Sequence, residues 1–194
     1  MPQVEAPRER IVAGAAEMIS RRGLNATSIR ELSKHAHAPL GSTYHYFPGG
    51  KGQLATEAVR FAGESVARSL RKELRVGPRE GVAAFLALWR DIVTGTGFRA
   101  GCPVLAVAVE EPPPGPVPAA VLAAAEVFAD WERLLAESLA AHGADATEAA
   151  EIATLIVASV EGTVAMCRAR RDTGPLDRVA ARLDAIIAGV LRAD

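Results

Sequence analysis

Apolar residues recur along this chain at spacings of three and four, the period of helices that bury one face, and the pattern is helical almost throughout. Ile11, Ala15, Met18 and Ile19 share one face of a first helix running from about Pro7 to Arg22, and Gly23 stops it. Ser28 and Glu31 have capping-box spacing, so a second helix begins near Ser28 with Ile29 and Leu32 facing inward. Pro39 fits the first position of a third helix, where its missing N–H costs nothing, and it drives the residue before it out of helical geometry. That helix ends near Phe47, too short to hold its shape alone in water, so Tyr44, Tyr46 and Phe47 must fix it against neighbouring helices or phosphates.

Beyond it the pattern predicts a long helix from Lys51 to about Leu74, with Leu54, Ala58, Phe61 and Ala62 inward and Gly77-Pro78 as its end. A fifth helix runs from Glu80 to about Val93, and a short apolar piece spans Pro103 to Glu110. Five prolines within residues 112–118 then force a rigid extended connection that no helix can absorb. Helix seven spans Pro118 to His142, helix eight starts at a Thr147 cap and reaches Arg171, and helix nine covers Leu176 to Leu191. Arg168, Arg170 and Arg171 close helix eight, where cations complement the helix dipole.

Charge changes the picture once it is divided. The 194 residues sum to −1, but residues 1–51 hold seven Lys/Arg against four Glu, so this head carries +3 and the remainder −4. His35, His37 and His45 add to that positive charge as pH falls. A basic head on an acidic body suits an oriented approach to a polyanion. The third helix supplies the chemistry for it. Leu40, Gly41, Ser42, Thr43 and His45 make its exposed face: small residues admit a groove floor, hydroxyls meet phosphates or base edges, and the Leu40 side chain or Thr43 methyl meets a thymine methyl.

The stretch from Thr27 to Leu54, ending in YHYFPGGKGQL, resembles the helix-turn-helix of the tetracycline-repressor (TetR) family, whose recognition helix ends in a Tyr-x-Tyr-Phe-like signature followed by Lys and an apolar residue. The Pro-Gly-Gly-Lys version, with Gly101-Cys102-Pro103, is similar to the lincomycin-resistance repressor (LmrA/YxaF-like) subgroup. The chain departs from the family at His37, where Gly usually stands in the turn, and at Thr43, where a larger aliphatic residue is common. A β-carbon at the first position resists positive φ.

The resemblance implies an all-α protein of about nine helices: a DNA-binding domain over residues 1–50 with its motif at 28–47, and a ligand-binding and dimerisation domain over 51–194. It implies DNA contacts from Thr27, Ser28 and Arg30, then from Pro39, Leu40, Gly41, Ser42, Thr43, Tyr44, His45 and Tyr46, with Lys51 on a phosphate. The expected partners are a double-stranded operator, a second copy of the chain and a small apolar or aromatic effector. A homodimer suits two half-sites one DNA turn apart, and the family places its seam on the last two helices, here at Leu155, Ile156, Ser159, Val160, Leu183, Ile186 and Ile187.

Five of the nine aromatics, Phe85, Trp89, Phe98, Phe128 and Trp131, fall in helices five to seven and mark the candidate effector pocket. Leu105 and Val109 extend its apolar lining, and Cys102, Glu110, Glu161 or Thr163 supply polar groups. Enzyme signals are weak. Gly95 to Gly101 has the wrong spacing for a dinucleotide loop, His35-x-His37 has no carboxylate or thiol to complete a metal site, and Cys102 and Cys167 match no metal or redox spacing. No catalytic residue, cofactor or metal is expected. MPQVEAPRER lacks an apolar signal core and no run of about twenty apolar residues is free of charge, so the expected location is cytoplasmic, without a membrane partner.

Overall fold

The computed structural model describes residues 7–112 and 114–191; the opening MPQVEA, Pro113 within the proline run and residues 192–194 lie outside the described residues. Among the described residues the chain forms nine α-helices and no strand: α1 (Pro7–Arg22), α2 (Ile29–His35), α3 (Leu40–Tyr46), α4 (Gly50–Glu73), α5 (Pro78–Gly95), α6 (Pro103–Ala108), α7 (Ala119–Ala141), α8 (Ala146–Arg170) and α9 (Gly174–Val190). The all-α organisation is the expected one. Two caps differ from expectation. Pro39 is the residue before α3 rather than its first helical position. Asp145, not Thr147, caps α8, because its carboxylate accepts the Thr147 and Glu148 amides.

Packing divides the chain into two compact units, Met1–Glu64 with Cys102–Val127, and Ser65–Gly101 with Phe128–Asp194. This is a different division from a cut at residue 50, because α6 packs on α1 and so joins the first unit. In that unit Ile11, Ala15, Ile19, Leu32, Phe47, Leu54 and Ala58 are fully buried. Burying each large side chain among them contributes about 1.5–3 kcal/mol. Gly63 on α4 faces Val127 on α7 so closely that a β-carbon there would lie 2.4 Å from a valine methyl.

The α1–α2 turn is held by a carboxylate from far along the chain. Glu110, just after α6, accepts the Asn25 amide at 2.7 Å. Its other oxygen lies 2.2 Å from where a Gly23 β-carbon would stand, and Gly23 has φ +78°. Here glycine is required twice, by the backbone and by the close approach.

The second unit is built on mutual packing of α5, α8 and α9. Phe85, Trp89 and Trp131 are buried at its centre, and an Arg79–Asp184 fork at 2.8 Å on both arms ties α5 to α9. By length and composition α8 is apolar enough to cross a membrane, but half of that apolar window is buried inside the protein. Ile152, Ile156, Val160 and Val164 supply its core face.

Gly23→Ala should lower stability by about 1–2 kcal/mol, the cost of a β-carbon in the left-handed region. A thermal melt should show a fall of roughly 2–8 °C at this chain length.

Candidate nucleic-acid interface

The sequence makes α2 and α3 in different ways. At the start of α2 the Ser28 hydroxyl accepts the Glu31 amide at 3.2 Å while the Glu31 carboxylate accepts the Ser28 amide at 2.9 Å, a complete capping box. The Ser28 bonds, foremost its hydroxyl, hold the Glu31 carboxyl below its ordinary pKa. The helix ends with His37 in the left-handed region at φ +51° and a bond from the Ala38 amide to the Ser33 carbonyl at 2.9 Å. That is the helix stop in which glycine is the usual residue, so the family's Gly position has kept its geometry with a histidine in it.

Helix α3 has only seven residues and no side-chain cap. Its shape comes from Thr43 and Phe47, four residues apart on one face and turned into the unit. Thr43 is 0% exposed; Ser33 donates to its hydroxyl at 2.8 Å, and that hydroxyl donates on to the Pro39 carbonyl at 3.3 Å. Phe47 is 0% exposed, with the Arg8 guanidinium 5.3 Å above its ring. Arg8 also pairs with Glu57 on α4.

The opposite face is open. A β-carbon on Gly41 would meet nothing within 4 Å, Tyr44 is 49% exposed, and His45 is exposed with its ring 5.4 Å from that of Tyr46. Ser42, Leu40 and Tyr46 are half-buried at the edges. Arg30 and Lys34, four residues apart on α2, are both exposed, and Lys51 is half-buried at the start of α4.

Two expected DNA contacts are corrected. Thr43 lies on the anchoring face, because a threonine at that turn finds Ser33 and the Pro39 carbonyl before it finds solvent. Thr27 is also buried, its hydroxyl donating to the Leu24 carbonyl at 2.8 Å.

Of the candidate pocket residues, the second unit brings four aromatics together edge to face. Phe85 lies 6.4 Å from Trp89 and 6.0 Å from Trp131, and Phe128 lies 5.7 Å from Trp131. Phe98 stands apart at φ +61°, with the Arg171 guanidinium 6.0 Å from its ring. Glu161 is buried on α8 in the same unit. Cys102 and Leu105 belong to the first unit, as does Val109, which at 71% exposure cannot line an enclosed pocket.

Among the seam candidates Ile156, Val160, Leu183 and Ile187 fill the core of the second unit, and only Leu155, Ser159 and Ile186 reach its surface. Ala158, Gly162, Ala165 and Met166 share the open face of α8 and were not singled out in the sequence.

A capped helix, a left-handed turn and a short helix with an open face of small and polar residues, carried on a basic head, define a helix-turn-helix DNA-binding regulator. The tetR family model, bacterial regulatory proteins, matches residues 11–58, and the model of the transcriptional regulator LmrA/YxaF-like C-terminal domain matches residues 78–182. The chain is 41% identical over 179 residues to an HTH-type transcriptional regulator of Mycobacterium tuberculosis (strain H37Rv), with 91% of each covered. It is 30% identical to the HTH-type transcriptional regulator LmrA of Bacillus subtilis (strain 168), covering 87% of this chain and 90% of that protein. A TetR transcriptional regulator of Legionella pneumophila has the same fold, with a TM-score of 0.79 at 20% identity over 98% of this chain and 100% of that one. This protein belongs to the TetR family of transcriptional regulators, in its LmrA/YxaF-like branch. The family is one of DNA-binding regulators, not of enzymes.

Thr43→Val keeps the shape of the side chain and removes its hydroxyl, so stability in a denaturant titration should fall by about 0.5–1.5 kcal/mol. A second outcome concerns acid. Glu17 accepts from His35 at 2.9 Å and pairs with Arg21, and the His35 bond foremost holds its carboxyl below the ordinary value. A depressed folded pKa stabilises above the unfolded pKa and is lost as pH falls through the folded one. Glu17→Gln should therefore shrink the difference in melting temperature between pH 7 and pH 3.

Proposed function

We propose that this regulator is a repressor that binds a palindromic operator as a homodimer and is released by a small apolar or aromatic effector. The observation that carries the reading is the open face of α3, Gly41, Tyr44 and His45, held outward by the Thr43 and Phe47 anchors. Ser42, Leu40, Tyr46 and Pro39 border that face, and Ser28, Arg30 and Lys51 take phosphates. Residues 1–50 read DNA, and residues 51–194 sense the effector and dimerise. The effector sits against Phe85, Trp89, Phe128 and Trp131 near Glu161. Support comes from Trp89 Nε1, a buried donor with no acceptor among the described residues, which an effector oxygen would satisfy.

The dimer seam is the open face of α8 and α9. Leu155 and Met166 are 43% and 46% exposed there, with Ser159 and Ile186 at the edge and Ala158 and Gly162 small enough for close helix approach. Release requires the effector to bind the DNA-free arrangement more tightly, since equal affinity for both states shifts nothing. The protein works in the cytoplasm, where its DNA is, and the apolar content of α8 is accounted for by core and seam rather than by a membrane.

A gel shift against DNA flanking its own gene should give a specific complex that weakens steeply with salt, as phosphate contacts require. Tyr44→Ala should weaken the complex by roughly tenfold, about 1.4 kcal/mol. Lys51→Ala should lower the slope of log affinity against log salt by about 1. Wild-type binding in either variant removes that residue from the interface, and no specific shift by the parent protein defeats the reading.

A further inference from the structure

The first unit holds a cleft of about 230 Å³ that shares only Lys51 with the proposed DNA contacts. Leu24, Val107, Pro118 and Val121 give it apolar walls from the α1–α2 turn, α6 and the approach to α7. Its size falls below the roughly 300–1,000 Å³ of drug-sized pockets, so a one-ring or two-ring body fits and a peptide does not.

Its charge is out of character with the head. The lining carries two carboxylates, Glu110 and Glu111, against the single ammonium of Lys51, whereas residues 1–51 sum to +3. Glu111 is exposed and forms no ion pair among the described residues. Glu110 is half-buried, and its bond to the Asn25 amide fixes the turn three residues before the Ser28 cap. A carboxylate has lone pairs for more than one donor, so an incoming N–H would share or take the oxygen that Asn25 uses.

We propose that this cleft binds a compact organic cation, an ammonium on an aromatic or alicyclic body. The body lies on Leu24, Val107 and Val121, and the ammonium donates to Glu110 and Glu111 in charge-assisted bonds. Occupancy competes with the Asn25 amide for Glu110 and loosens the turn that starts α2. The site is separate from the aromatic cluster of the second unit, all of whose members lie in the other unit. Its effect on DNA rests on the function proposed above; the binding does not, and is read without DNA.

Calorimetry of the full-length protein with 2-phenylethylammonium and with the charge-reversed 3-phenylpropionate tests it. The cation should bind at least about tenfold more tightly than the anion, a difference of about 1.4 kcal/mol. Glu110→Gln keeps an oxygen for Asn25 and Glu111→Gln changes an exposed side chain, so both should melt like the parent protein while binding the cation at least several-fold more weakly. Val121→Trp should fill the cleft and abolish binding. Equal affinity for the two probes, no heat with the cation, or unchanged affinity in both glutamine variants overturns the site. In a gel shift the cation should weaken the parent complex and leave that of Glu110→Gln unaffected; cation binding with unaltered DNA affinity overturns the coupling. A parent protein that shifts no DNA sinks the repressor reading alone, since the calorimetric arm still decides the site.

Discussion

A helix of seven residues does not persist in water on its own hydrogen bonds, and everything the head presents depends on how α3 is held. The constraint is met by one face. Thr43 and Phe47 are four residues apart and both point inward, one into a hydroxyl relay with Ser33 and the Pro39 carbonyl, the other into the apolar core beneath Arg8. Because the two are committed, helical geometry turns Gly41, Tyr44 and His45 outward together. The exposed surface is thus a by-product of the buried one, and its chemistry is free to vary without disturbing the anchor.

What was legible in the sequence was local. The Ser28/Glu31 box, the glycine stop at Gly23 and the proline before α3 each act within a few residues, so spacing revealed them. His37 was also readable: a turn that needs positive φ was visible from the motif, and the structure places the imidazole-bearing residue there at +51°. What was not legible depended on partners distant in sequence. Thr43 reads as a surface hydroxyl until Ser33, ten residues earlier, is known to face it. The piece α6 is six residues long, and nothing in it announces that its partner is α1, some ninety positions away.

Helix α8 shows a different limit. Its side chains are apolar around much of the cylinder, so periodicity marks the helix without saying which stripe serves the core. Burial separates Ile156 and Val160 from Leu155, and leaves a stripe of alanine and glycine open beside it. Of the five aromatics grouped in the sequence, four meet in the second unit and Phe98 does not, because large rings are few here and gather wherever a core forms.

One contact in the first unit bears on motion rather than stability. Where α4 passes α7, glycine at position 63 lets the backbone of one helix rest directly on the Val127 methyls of the other, at a separation that would leave no room for even a β-carbon. Close-packed surfaces of this kind transmit displacement instead of absorbing it. Any sideways push on this stretch of α7 therefore reaches α4 without mechanical slack, as between meshed gears.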